Sequence, residues 1–234
     1  MTKPRYGIIN YDMMADWMGR TPDADGPFWA LNLMKYRAVA EYADGRATAR
    51  SGRDADDEYT PRDSLRAIGA MIAFAADVDD QSGAEPRWDR IGIVRYPSRA
   101  KFLEMQQRDD FKSKHVHKDA GMECTIVMSC LPAAAPALSA ADGDTIVMRV
   151  ARTSTDSTLS RVDGSTHLAA FAVEGVIVGD ERTWTQVSFD AAPDAGTRDA
   201  LLAVAGDSDE IFAIALGRPV VDALANSIET AAGA

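Results

Sequence analysis

Around one Ala/Pro-rich stretch, Leu131-Pro-Ala-Ala-Ala-Pro136 and the residues up to Gly143, the chain lays out the same order of elements twice. Before it, apolar and β-branched strand patterns run over residues 28–36, 69–78, 88–96 and 123–130, each bounded by turn or charge clusters. Two helical stretches lie between them. The first opens at Thr60-Pro61-Arg62-Asp63, where Thr60 can cap, Pro61 suits the first helical position and Asp63 favours the helix N-terminus; it ends near Ile68. The second begins at Ser98 and turns Phe102, Met105 and, past a break near Asp109-Asp110, Phe111 to one face. After the Ala/Pro stretch come a strand over 145–151, a weak helix over 155–162 and a hairpin of 168–178 and 182–189 across Gly179-Asp180-Glu181. A helix over 197–205, a strand over 210–216 and a terminal helix over 219–231 complete the chain. Trp88 precedes Pro97 by nine residues and Trp184 precedes Pro193 by nine, at matching places in the two halves.

The order β-α-β-β-α-β is the ferredoxin-like motif, an antiparallel sheet with both helices on one face. The sheet's other face also needs cover, and a tandem chain can supply it by packing its two sheets on each other. The expected fold is therefore α+β: two tandem ferredoxin-like units forming an intrachain dimeric α/β barrel. Residues 1–131 form the first unit, 132–143 a linker and 144–234 a second, degenerate unit. Barrel closure then needs no second chain, although exposed sheet edges can still pair, so monomer and homodimer both stay open.

Charge separates the halves. Residues 1–131 carry 19 basic and 21 acidic side chains, net −2, whereas residues 132–234 carry 6 and 15, net −9. An acidic surface argues against nucleic acid as a partner. No apolar run approaches the roughly 20 residues of a membrane span. The first 20 residues lack the apolar core of a signal peptide, which makes cytoplasm the expected compartment. Cys124 and Cys130, about 20 Å apart on one strand, cannot bridge each other and read as small core residues.

The segments Leu31-Asn-Leu-Met-Lys-Tyr-Arg37, Tyr59, Trp88-Asp-Arg-Ile-Gly-Ile-Val-Arg-Tyr-Pro-Ser-Arg-Ala-Lys-Phe-Leu103, Asp110 and His117 resemble an uncharacterised domain-of-unknown-function family of the dimeric α/β-barrel superfamily. The resemblance covers roughly residues 25–131; in the second half it is topological only. It implies a small-molecule cavity between each sheet and its helices. The superfamily includes cofactor-free monooxygenases, muconolactone isomerases, polyketide cyclases and haem-binding chlorite dismutases, so the fold alone does not choose a reaction.

Candidate site residues follow from chemistry and from that resemblance. His117, where the family has a His, titrates near neutral pH and suits acid/base work; a histidine at a helix end can equally be a capping or surface residue. His115 stands some 200° round a helix from it, so the two share a metal only if the segment is extended. No metal site is expected. His167 reads as structural. Strand alternation groups Phe28, Ala30, Asn32, Met34 and Tyr36 on one face, where the Asn32 amide either holds a ligand oxygen or knits the sheet to a loop. Arg95 and Tyr96, both within the resemblance, can clamp or donate to an oxygenated ligand, or serve as a surface ion pair and core packing. Residues 37–59 read as a long polar lid over the cavity.

Nucleotide-binding, serine-hydrolase and zinc motifs are missing. The leading expectation is a cofactor-independent enzyme of isomerase, cyclase or monooxygenase type that acts by proton transfer on a small hydrophobic oxygenated metabolite. His117, Asn32, Tyr96 and Arg95 carry the chemistry; Phe28, Met34, Tyr36 and Tyr59 contact the substrate. The alternative is a non-catalytic binding or scaffold protein, with haem binding a more distant option. The acidic second unit is expected to complete the barrel only.

Overall fold

A computed structural model describes residues 4–83, 85–133, 137–152, 159, 161–205 and 211–232. A short strand, β1 (Ile8–Ile9), and a helix, α1 (Tyr11–Gly19), precede the first unit; the Asn10 side chain caps α1 by accepting from the Met13 amide at 3.0 Å. The first unit follows as β2 (Phe28–Tyr36), α2 (Gly52–Tyr59), α3 (Arg62–Ala67), β3 (Met71–Gly83), β4 (Arg90–Tyr96), α4 (Arg99–Gln107), α5 (Asp109–Gly121) and β5 (Met122–Pro132). The second runs through β6 (Thr145–Ala151), β7 (Thr166–Gly179), β8 (Gln186–Ala192), α6 (Ala195–Ala203) and β9 (Ile211–Leu216), then β10 (Val221–Asp222) and α7 (Leu224–Ala232). Most of the helix expected over 155–162 lies outside the described residues.

The first unit's strands stand in the order β5-β2-β4-β3 and the second unit's in the order β9-β6-β8-β7, the same fourth-first-third-second arrangement twice. β3 joins β9 and β7 joins β5, so these eight strands close into one barrel. Length makes the two joints possible. β3, with 13 residues, pairs with β4 as far as Asp77 and with β9 from Val78 onward. β7, with 14, pairs with β8 up to Ala172 and with β5 from Phe171 onward. The expected hairpin across residues 179–181 is therefore only partly formed: the second half of β7 leaves β8 because the neighbouring unit claims its edge.

Alternation along the strands sorts the side chains. Trp29, Leu31, Leu33, Phe74, Phe171 and Phe189 belong to a core that fills the barrel, and Trp88 and Trp184 lie buried in it at matching positions before β4 and β8. Phe28, Ala30 and Tyr96 point the other way and pack under α1 and α4 against Trp17 and Phe102. One barrel end is covered by α7, whose fully buried Ser227 hydroxyl accepts from Trp29 Nε1 at 2.9 Å. The helix expected from Pro219 starts later, because Val221–Asp222 first add to the edge of β3.

A buried ion cluster ties the units together. Arg99, 3% exposed at the start of α4, donates to Glu174 of β7 at 2.9 Å and to the Gly26 carbonyl at 2.9 Å. Ser129 and Arg20 also donate to Glu174. Burial pushes the Glu174 carboxyl up, but these donors prevail and hold it below its ordinary value.

Within residues 37–59, expected as a lid over the cavity, 52–59 form a helix whose Asp56 and Tyr59 line the cavity described below. Ser51 caps α2 by accepting from the Asp54 amide at 3.0 Å, and α2 docks on α5 where Gly52 meets Gly121. A Cβ on Gly52 would stand 2.3 Å from the Gly121 carbonyl oxygen, so the two helices approach backbone to backbone. Thr60, expected to cap the following helix, instead ends α2, and Pro61 stands at the start of α3 without a side-chain cap. The break between α4 and α5 falls at Arg108, one residue before its expected place. Among the described residues no helix is long and apolar enough to cross a membrane.

Candidate functional site

On the outer face of the first unit's sheet, a cavity of about 180 Å³ lies beneath α3, α4 and α5. Side-chain size creates it. Ala30, Ala75 and Gly92 occupy helix-facing sheet positions, and the surrounding Met34, Met105 and Phe111 leave their volume unfilled.

Three groups of polar side chains, centred on Lys118, His115 and Asp56, interrupt a largely apolar wall. Lys118 of α5 is 8% exposed, and its Nζ donates to Asn32 Oδ1 at 3.4 Å while lying 5.2 Å from the centre of the Tyr59 ring. Among the described residues no carboxylate comes within ion-pair distance of it. Burial pushes its pKa down, and Asp56 opposes that only in part. Asn32 is fixed by the sheet: its amide nitrogen donates to the Ala30 carbonyl at 3.0 Å and the Gly92 carbonyl at 3.4 Å. The reverse orientation would set oxygen against oxygen, so Asn32 presents its acceptor to Lys118.

The second group is His115, one helical turn before Lys118. Its Nε2 is 3.0 Å from the Tyr6 hydroxyl, and its ring is held among Tyr6, Tyr59 and Phe111 with centroids 5.3–6.2 Å away. Burial, with Lys118 nearby, lowers its pKa to about 4, so the ring is neutral at physiological pH. Its Nδ1 is buried without a partner. Tyr6 is also held protonated by burial. A hydroxyl that donates to Nε2 leaves the imidazole proton on Nδ1.

The third is Asp56 of α2, 6% exposed, whose Oδ2 accepts from the Tyr36 hydroxyl at 2.7 Å and lies 3.7 Å from Arg90. Arg90 is also held by Asp57 at 2.7 Å and Asp77 at 3.1 Å. Every cation at this end of the cavity has a carboxylate within ion-pair distance, Arg53 on Asp77 included. Lys118 has none among the described residues.

Asn32, Met34, Tyr59 and Tyr96 line the cavity together. Phe28 is one layer back, its ring stacked on Tyr96 at 5.3 Å, and Tyr36 stands behind the wall, its hydroxyl 2.7 Å from Asp56 and 3.8 Å from Met34 Sδ. Arg95 does not enter it. Alternation on β4 turns Arg95 to the same side as Ile91 and Ile93, the barrel interior, opposite Trp29 in register. His117 does not enter it either; it lies on another face of α5, where its Nδ1 is 2.8 Å from the Tyr42 hydroxyl. Two helical residues two apart cannot share a face, so bringing His115 to the cavity turns His117 away.

Sequence reasoning passed over Lys118, Tyr6, Asp56 and Arg90. The spacing of Phe111, His115 and Lys118, at i, i+4 and i+7, is the signal that marks the inward stripe of α5. Both thiols are free; burial raises Cys124 to about 11 and Cys130 higher still, so both stay protonated near neutral pH. In the second unit His167 is bound into a buried cluster: its Nδ1 is 3.0 Å from Asp190, which Arg149 and Ser188 also engage at 2.9 and 3.0 Å.

An eight-stranded barrel closed by two ferredoxin-like units within one chain places the fold with the dimeric α/β barrels. No protein-family model and no curated protein matches the chain. Among solved structures it is similar to the RPA0582 protein of unknown function from Rhodopseudomonas palustris, at 22% identity over 55% of this chain and 95% of that one, TM-score 0.44. It is also similar to an anthrone oxidase-like protein, at 14% identity over 83% and 93% of the two chains, TM-score 0.48. A mutant chlorite dismutase from Candidatus Nitrospira defluvii matches at 6% identity over 94% and 99%, TM-score 0.44. At these identities the likeness concerns the fold.

Proposed function

We propose that the chain is a small-molecule enzyme that moves a proton on a hydrophobic, oxygen-bearing compound held in the first-unit cavity, without a cofactor. The observation that carries this reading is one apolar cavity lined by both a neutral His115, with its unpartnered Nδ1, and the Asp56 carboxylate. In this reading His115 takes the role first assigned to His117. With the Tyr6 hydroxyl donating to Nε2, the Nδ1–H is left to donate to the substrate oxygen. Asp56 accepts the carbon-bound proton through Oδ1, the oxygen that Tyr36 leaves open, and returns it to the product. Tyr96, Met34 and Tyr59 shape the apolar walls. The reading keeps the first unit with the uncharacterised family it resembles and gives the second unit the task of closing the barrel.

The test needs no knowledge of the natural substrate. One-ring ketones that bind the protein are incubated with it in D2O, and deuterium entering the carbon next to the carbonyl is followed by NMR. The protein should accelerate exchange, Asp56→Asn should abolish the acceleration, and His115→Gln should reduce it at least tenfold. Binding without any acceleration would overturn catalysis and leave a binding protein.

A further inference from the structure

Lys118 has no task in the proton transfer described above, yet it is the most costly group in the cavity wall. An ammonium more than nine-tenths buried, beside the Tyr59 ring, gives up most of its hydration, and such a group is normally matched by a carboxylate. Here its protein partner is an amide oxygen at 3.4 Å and the face of one aromatic ring. Of the three charged residues that line the cavity, Asp56 and Arg90 are engaged with each other and with Tyr36, Asp57 and Asp77. The sheet holds the Asn32 amide in the orientation that aims its acceptor at Nζ, which fixes the lysine head without neutralising it. Size adds a second restriction. A cavity of about 150 Å³ holds a benzene ring, and about 180 Å³ leaves room for one ring and one small substituent.

We infer that the ligand of this cavity is a one-ring organic acid whose carboxylate pairs with Lys118. This rests on the cavity being the binding site, as proposed above, and adds the chemical class of what enters it. The carboxylate takes the position opposite Asn32 on the lysine head, and the ring lies over Gly92 and Ala30, where the sheet has no side-chain bulk. A carboxylate on a buried ammonium forms a charge-assisted hydrogen bond, about twice as strong as a neutral one.

Benzoate and benzamide, nearly equal in shape and different in charge, separate the alternatives. Calorimetric titration of the full chain should show benzoate binding at least tenfold tighter than benzamide. Lys118→Met and the more conservative Lys118→Gln should each remove that preference. Comparison of the two ligands on the unmodified chain stands even if neither variant folds. Equal affinities on the wild-type chain, or a preference that survives in a folded Lys118 variant, would overturn the inference and leave the cavity reading intact. Failure of both compounds to bind would overturn the cavity reading and the inference together.

Discussion

The Tyr6 hydroxyl and His115 Nε2, 109 residues apart in sequence, meet at 3.0 Å on the wall of the first-unit cavity. Their pairing holds an imidazole where burial lowers its pKa from 6.5 to about 4. Between these values the unfolded chain binds a proton that the folded chain releases, so folding becomes more favourable as pH rises through this window. His115 should contribute up to about 3 kcal/mol of stability that is present above pH 6.5 and lost as pH falls towards 4. Urea unfolding of wild type and His115→Phe at half-unit pH steps measures it as a difference, which removes the carboxylates common to both. A difference that does not change with pH would contradict the burial of a neutral ring.

Gly121→Ala should destabilise the protein by roughly 2–3 kcal/mol, the range of overpacking at a close contact. A Cβ there would stand 2.4 Å from the Gly52 carbonyl oxygen and 3.1 Å from the Ala55 methyl, and the nearer of these is backbone. Because α2 carries Asp56, the same change should also weaken ligand binding. Denaturant midpoints and a titration on the folded variant check both effects.

Glu174→Gln keeps the size of the side chain but takes from Arg99, 3% exposed, the carboxylate it meets at 2.9 Å and leaves it Asp25 at 3.6 Å. Breaking a buried pair from one side costs about 3–5 kcal/mol, and the low end applies because Arg99 keeps Asp25 and Glu174 retains 17% side-chain exposure. Since Glu174 titrates below its ordinary value in the folded chain, its contribution is present above the unfolded carboxyl pKa and is lost as pH falls through the folded one. The variant should therefore show less acid sensitivity than wild type in thermal unfolding.

Ser227→Ala should leave the Trp29 indole N–H unpartnered inside the barrel, at a cost of about 1–3 kcal/mol. Chemical denaturation measures the cost, and an unchanged midpoint would mean that α7 does not seal the barrel end as described.

Much of the architecture was legible because its rules are local. Alternation with a period of two places Asn32 with Ala30 and Met34 whatever the rest of the chain does, and the β2 boundaries agree with the pattern residue for residue. The repeated order of elements, with Trp88 and Trp184 at matching positions, led to two ferredoxin-like units and a closed barrel. From sequence alone, 52–59 belong to a long polar connection holding Gly45, Gly52 and the acidic run 54–58, which suggests a lid. The helix they form depends on the Ser51 cap and on the Gly52–Gly121 approach, which joins residues far apart in the chain.

The sequence by itself thus determined the order of the eight barrel strands and, in β2, the face to which each residue turns. Only the tertiary structure decided which face of α5 meets the sheet. That helix exposes Val116 and buries Lys118, the reverse of what hydrophobicity alone would assign. Its orientation is set by Gly121 against α2, by Phe111 against Tyr59 and by the small residues of β2 and β4 beneath it, all non-local contacts. This orientation turns His115 and Lys118 to the cavity and His117 to Tyr42.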